Sequence, residues 1–171
     1  MKDIESLYKQ FIKGKNCSDI FEHLPILKDI ASEVDRITEF GVRGGCSTVS
    51  LLMSNPKKMD SFDKNINCPS AQVKRLCMEY ALKHNIDFSF HYGDTLDVEI
   101  EETDMLFIDT THTYNHLKAE LNRHAEKVSK YIICHDTVLV PDMMKAIDEL
   151  SKWKIKYHYE NLYGLTIIER K

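Results

Sequence analysis

Ile37-Thr38-Glu39-Phe40-Gly41-Val42-Arg43-Gly44-Gly45-Cys46-Ser47-Thr48 passes from a short β-forming run into a glycine-rich turn, and from there to hydroxyl residues able to cap a helix. Gly41, Gly44 and Gly45 permit tight turning and close approach of backbone to a ligand. After this stretch short apolar runs alternate with amphipathic ones, the pattern of parallel strands joined by crossover helices. Strands are expected at 37–40, 58–62, 87–92, 105–108, 131–134, 155–159 and 165–169, and helices at 48–54, 70–84, 114–129 and 142–151. In the 114–129 interval Leu117, Leu121, Ala125 and Val128 form one apolar stripe, with His116, Glu120, Arg123 and Lys127 on other faces.

Only residues 160–164 separate the last two strands, too few for a helical crossover, so these strands should form an antiparallel hairpin. The expected fold is α/β, a Rossmann-like three-layer sandwich whose seven-stranded, mostly parallel sheet ends in that hairpin. Upstream, Ile4, Leu7, Tyr8, Phe11 and Ile12 recur at helical spacing, and Ile20, Leu24, Leu27 and Ile30 suggest a second helix near Pro25. A helical cap over 1–33 and a ligand-binding unit over 34–171 would together make one compact domain, which suits 171 residues.

Composition excludes several classes. With 43% hydrophobic and 29% charged residues the chain is neither disordered nor membrane-embedded, and a net charge of −4 offers no footprint for nucleic acid. The N-terminal stretch mixes Lys2, Asp3, Glu5 and Lys9 with apolar residues, unlike a secretory signal. Five cysteines without a C-x-x-C pair are expected to be free thiols, which places the protein in the cytoplasm.

In an open parallel sheet, ligands bind beyond the carboxyl ends of the strands. Asp63 ends the second strand 22 positions after Gly41, near the spacing at which a carboxylate accepts hydrogen bonds from ribose; Asp60, its competitor, falls inside the strand. Asp94, in Gly93-Asp94-Thr95 after the third strand, could accept from an adenine amino group. The turn lacks the Gly-Lys-Ser/Thr of a Walker cradle, and Arg43 stands where a dinucleotide site has glycine. Glu39 would repel a diphosphate and suits a cationic ligand. These residues favour S-adenosylmethionine (SAM) over NAD, with Glu39, Gly41, Arg43, Gly45, Ser47, Asp63, Asp94 and Asp109 as cofactor-binding candidates. An NAD-dependent or nucleotide-sugar enzyme is the alternative.

The fourth strand runs into Phe107-Ile108-Asp109-Thr110-Thr111-His112-Thr113-Tyr114, and the fifth into Ile133-Cys134-His135-Asp136-Thr137. Asp109 and Asp136 could supply oxygen ligands to a hard cation such as Mg²⁺, with His135 as a third ligand or a hydrogen-bond partner. His112 is the candidate general base, and Asp109 and His112 are the candidate catalytic pair. Taken singly, Asp109 reads more readily as a helix cap and His112 as a surface histidine; it is their joint pattern at two adjacent strand ends that points to a site. His112 and His116 lack the intervening Glu of a zinc H-E-x-x-H motif. His116 and His124 read as solvated helix residues, and Cys46 and Cys134 as packing residues.

Over residues 37–170 the chain resembles class I SAM-dependent methyltransferases, in particular the methyltransferase-24 or cephalosporin-hydroxylase-like group. The residues that carry this are the 39–48 turn, the Asp109–Tyr114 segment, the His135-Asp136 strand end and the closing Asn161-Leu162-Tyr163-Gly164-Leu165-Thr166. The resemblance implies O-methyl transfer to a sugar or small sugar-containing metabolite. Glu39 and Gly41 would border the methionine part of SAM, Asp63 would hold the ribose and Asp94 would lie near adenine. It also implies Mg²⁺ at Asp109 and Asp136, with His112 as base. Better understood metal-dependent members have two acids where this chain has His135-Asp136, and only residues 137–141 precede the next helix. A neighbouring subunit could complete the acceptor pocket, and a SAM-binding protein without transferase activity is the rival from another class.

Overall fold

A computed structural model describes residues 3–171. Two short helices come first, α1 (Ile4–Phe11) and α2 (Leu24–Ala31). The Asp3 carboxylate caps α1 by accepting from the Ser6 amide, and Pro25 occupies the first turn of α2, where a missing N–H costs nothing. The expected cap over 1–33 includes Met1 and Lys2, which lie outside the described residues.

The remaining elements follow in alternation: β1 (Arg36–Phe40), α3 (Cys46–Leu52), β2 (Lys58–Asp63), α4 (Ala71–His84), β3 (Asp87–Tyr92), β4 (Thr103–Ile108), α5 (Tyr114–His124), β5 (Val128–His135), α6 (Asp142–Asp148), β6 (Trp153–Tyr159) and β7 (Leu165–Arg170). The sheet has the order β3-β2-β1-β4-β5-β7-β6, with the first five strands parallel and β7 antiparallel to both β5 and β6. The fold is thus Rossmann-like, as the hydrophobic pattern predicts.

Alternation along the central strands builds a core on each face. Ile37, Met105, Phe107, Tyr131 and Ile133 face one way and pack with α1 to α4; Leu106, Ile108, Ile132 and Cys134 face the other way, toward α5 and α6. These buried runs are hydrophobic on both sides, as a strand covered by helices on both faces must be.

Helix ends differ from expectation where local chemistry competes. α3 starts at Cys46 rather than Thr48, behind Gly45 at φ +82°, so neither Ser47 nor Thr48 caps it. α5 stops at His124; Ala125–Lys127 tighten into a 3-10 turn, and Val128, the end of the expected helical stripe, opens β5 instead. The cysteine expectation is also corrected: Cys17 and Cys46 form a disulfide, while Cys68, Cys77 and Cys134 are free. The thiol argument for a cytoplasmic location loses its support from that pair. No helix among the described residues is long and apolar enough to cross a membrane.

Candidate active site

The chain reverses its direction of sheet-building between β1 and β4, and this switch point is where an open α/β sheet leaves a crevice. The glycine turn crosses it. The Gly41 amide donates to the Phe62 carbonyl at 2.9 Å, and the Asp109 amide donates to the Phe40 carbonyl at 2.8 Å, so β2 and β4 hold the turn from either side. Gly41 lies at φ +88°, and a Cβ there would collide with the Asp109 carbonyl. Gly45 is equally constrained, because a Cβ would meet the Val73 side chain at 2.8 Å.

Asp63 organises this turn as well as facing the crevice. Its Oδ2 accepts from the Val42 and Arg43 amides, both at 2.9 Å, and its Oδ1 accepts from the Asn65 amide at 2.7 Å. Asp94 accepts from the Leu96 amide at 3.0 Å in a tight polar turn and stays exposed. Gly41, Arg43, Asp63, Asp94 and Asp109 line a cleft of about 160 Å³, joined by His116.

The other cofactor candidates stand behind this wall. Gly45 packs against Pro69 and Val73. Glu39 is fully buried and accepts hydrogen bonds from Ser47 Oγ at 2.6 Å, Thr48 Oγ1 at 2.7 Å and Ser61 Oγ at 2.6 Å. Burial pushes its carboxyl up to about 7, against the pull of the three hydroxyls. Glu39 therefore knots the start of α3 to β1 and β2, and the Ser47 and Thr48 hydroxyls turn inward to it. The Arg43 guanidinium is largely exposed and pairs with Asp19 of the N-terminal segment.

Beside the cleft, the loop between β4 and α5 and the end of β5 bring two acids and two imidazoles together. His112 Nε2 lies 3.2 Å from Asp109 Oδ1 and 2.8 Å from Asp136 Oδ2. His135 Nδ1 lies 3.1 Å from Asp136 Oδ2 and 3.6 Å from Asp109 Oδ1. Asp109 and Asp136 hold His112 protonated, raising its pKa to about 10. Burial disfavours charge on His135, yet the same carboxylates lift it to about 9. Burial likewise opposes ionisation of both acids, but the imidazoles keep both below the usual carboxylate range. Asp136 adopts φ +61°, a left-handed conformation that aspartate tolerates better than most residues.

One donor atom each from Asp109, His112 and Asp136 lies within 4.8 Å of the others, a set of two carboxylates and an imidazole that fits a hard divalent cation. His135, the third metal candidate, is 1% exposed and stands behind the carboxylates rather than among the converging donors. Asp109 belongs to both the cleft and this cluster.

One polar network has no counterpart in the hydrophobic pattern. Glu120, expected off the apolar stripe of α5, is fully buried and accepts from Thr95 Oγ1 at 2.6 Å and Thr110 Oγ1 at 2.8 Å, with His116 Nε2 at 3.3 Å. His124, expected in solvent, is also buried, its Nε2 2.7 Å from the Thr95 carbonyl. Together they join the loop after β3 to the loop after β4, the two lips of the cleft. The signal that could have exposed them was the i, i+4 spacing of His116, Glu120 and His124 opposite Thr95 and Thr110 at strand ends.

No protein-family model matches the sequence, and no curated protein does. Solved structures do match. The O-methyltransferase from Bacillus cereus in complex with SAH gives a TM-score of 0.68 at 14% identity, covering 100% of this chain and 92% of that one. The O-methyltransferase TomG from Streptomyces achromogenes, involved in tomaymycin synthesis and solved in complex with SAM, gives 0.68 at 14% identity over 100% and 91%. A methyltransferase from Geobacter sulfurreducens gives 0.68 at 12% identity over 98% and 88%. At such identities the likeness is one of fold, and the fold this chain shares is that of SAM-dependent O-methyltransferases.

Proposed function

We propose that the chain is a SAM-dependent O-methyltransferase acting on a hydroxyl of a sugar or small sugar-containing metabolite. The observation that carries this reading is Asp109, which lines the cleft on one side and joins the His112–Asp136 cluster on the other. A methyl donor in the cleft would lie beside a group able to manage the acceptor's proton. In the cleft, Asp63 and Asp94 would take the ribose and adenine edges. The sugar acceptor follows the resemblance carried by His135-Asp136 and 161–166.

Transfer is an in-line displacement: the acceptor oxygen forms a bond to the methyl carbon as the carbon–sulfur bond breaks, and the hydroxyl proton passes to a base. His112 is that base. It can accept a proton only when its hold on Asp109 and Asp136 is relieved, since the pairing keeps it protonated at neutral pH. Asp109 and Asp136 would hold Mg²⁺, which would neutralise their charge and make an acceptor hydroxyl more acidic. His135 would orient Asp136, and the buried Glu39 knot would keep the turn rigid around the donor.

Calorimetry with SAM and with NAD, followed by labelled-methyl transfer to a panel of sugars with Mg²⁺ or EDTA, tests the reading. SAM should bind and methyl label should move. His112→Ala should lower the rate by about 10²- to 10⁴-fold while leaving SAM affinity unchanged; full activity in both His112→Ala and Asp136→Ala would sink the assigned chemistry. Binding of NAD but not SAM would overturn the cofactor. The short 137–141 connection favours one rival, a SAM-binding protein that transfers nothing, and binding without label transfer would select it.

A further inference from the structure

His23 ends the N-terminal segment just before α2, yet it is fully buried at the far side of the His135 ring. The two ring centroids are 5.4 Å apart and meet edge to face. Each ring carries one buried nitrogen without a hydrogen-bond partner among the described residues: Nδ1 of His23 and Nε2 of His135. Two such atoms on neighbouring rings are unusual, because buried polar groups are normally satisfied.

Hydrogen-bond polarity settles what the other nitrogens carry. Asn161, in the turn between β6 and β7, donates its amide Nδ2 to the Glu22 carboxylate, which only accepts. Its Oδ1 therefore faces His23 Nε2, 3.1 Å away, and must receive a proton from it. His23 is neutral, as burial, the largest influence on it, also favours. Its Nδ1 is then a lone pair aimed into the protein. On the other ring, Nδ1 of His135 faces two carboxylates and carries a proton, which leaves Nε2 as the outward nitrogen.

We propose that His23 is a positioning residue for the Asp109–Asp136 cluster, linked to His135 through one water that accepts from the His135 Nε2–H and donates to the His23 Nδ1 lone pair. The line Glu22–Asn161–His23–His135–Asp136 then runs from the surface to the cluster and fixes the plane of the His135 ring. It draws on the N-terminal segment, the β6–β7 turn and β5, three parts of the chain far apart in sequence. Outer partners of this kind orient the inner groups and their loss typically weakens a metal centre by 10- to 100-fold. The bearing of this line on methyl transfer rests on the function proposed above, whereas the pairing itself does not.

The test uses the full chain labelled with ¹⁵N and long-range ¹⁵N–¹H spectra of the imidazoles. In the unaltered protein His23 should hold its proton on Nε2 alone, and His135 should show an Nδ1 proton and a hydrogen-bonded Nε2. His23→Phe keeps a ring against His135 but removes both nitrogens; it should abolish the hydrogen-bonded Nε2 signature and weaken Mn²⁺ binding by about tenfold. Asn161→Leu, which frees the His23 tautomer without emptying the core, should give a mixture of His23 tautomers and serves if His23→Phe fails to fold. Unchanged His135 signals in the folded variants would overturn the proposal. Failure of Mn²⁺ to bind the unaltered protein would count against the metal reading alone, since the tautomers are read without it.

Discussion

Glu39 shows how one side chain can be legible by type and misread by position. The acid before a glycine turn was expected to face a cationic ligand, but three hydroxyls enclose it beneath the turn. Nothing in the order of residues says that Ser47, Thr48 and Ser61 converge, because Ser61 comes from another strand. The burial has a pH consequence. A carboxyl at about 7 in the folded protein, against 4.5 in the unfolded chain, binds its proton more tightly when folded. Its contribution is complete below pH 4.5 and is lost as pH rises through 7, a change of roughly 3 kcal/mol. Urea denaturation of the unaltered protein and Glu39→Gln between pH 5 and 8 checks this. The difference in stability between the two should drift with pH in that direction, and a constant difference would refute it.

At the scale of elements, α5 carries more than its apolar stripe suggests. Leu117 and Leu121 cover the sheet as expected, but Glu120 and His124 are buried on a second, polar face. Glu120→Leu should leave the Thr95 and Thr110 hydroxyls and His116 without their acceptor and cost about 2–3 kcal/mol, read as a lower denaturation midpoint. A surface-like change below about 0.5 kcal/mol would show that the network holds nothing. The strand positions were readable because alternation between two covered faces leaves near-continuous apolar runs, as in Met105 to Ile108 and Tyr131 to Cys134. The hairpin was readable from the short 160–164 connection. What stayed hidden were features made by contact across the fold: the buried face of α5, the inward Ser47 and Thr48 hydroxyls, and the place of His135 behind the carboxylates. The grouping of Asp109, His112 and Asp136 was readable because adjacent parallel strands end side by side.

Across the whole molecule the N-terminal helical region is fastened to the glycine turn and α3 three ways: by the Cys17–Cys46 bond, by the Asp19–Arg43 pair and by the Ser50 hydroxyl donating to the Leu24 carbonyl. The covalent tie spans 29 residues, and closing a loop of that length stabilises a fold by ~3–4 kcal/mol. Dithiothreitol should therefore lower the melting temperature by on the order of 10 °C, and Cys17→Ser with Cys46→Ser should remove that sensitivity. An unchanged melting curve on reduction would argue against the bond. One flank of the sheet ends in an open edge. β6 is its outermost strand, with Ile155 and Tyr157 each 46% exposed, and its free backbone groups could template the same strand of another chain. Lys154 and Lys156 bracket Ile155, anchored on Glu169 of β7 at 2.9 and 3.0 Å. Charge at that margin discourages strand-to-strand aggregation, so two lysines remote from every candidate catalytic group help keep the protein dispersed in concentrated solution.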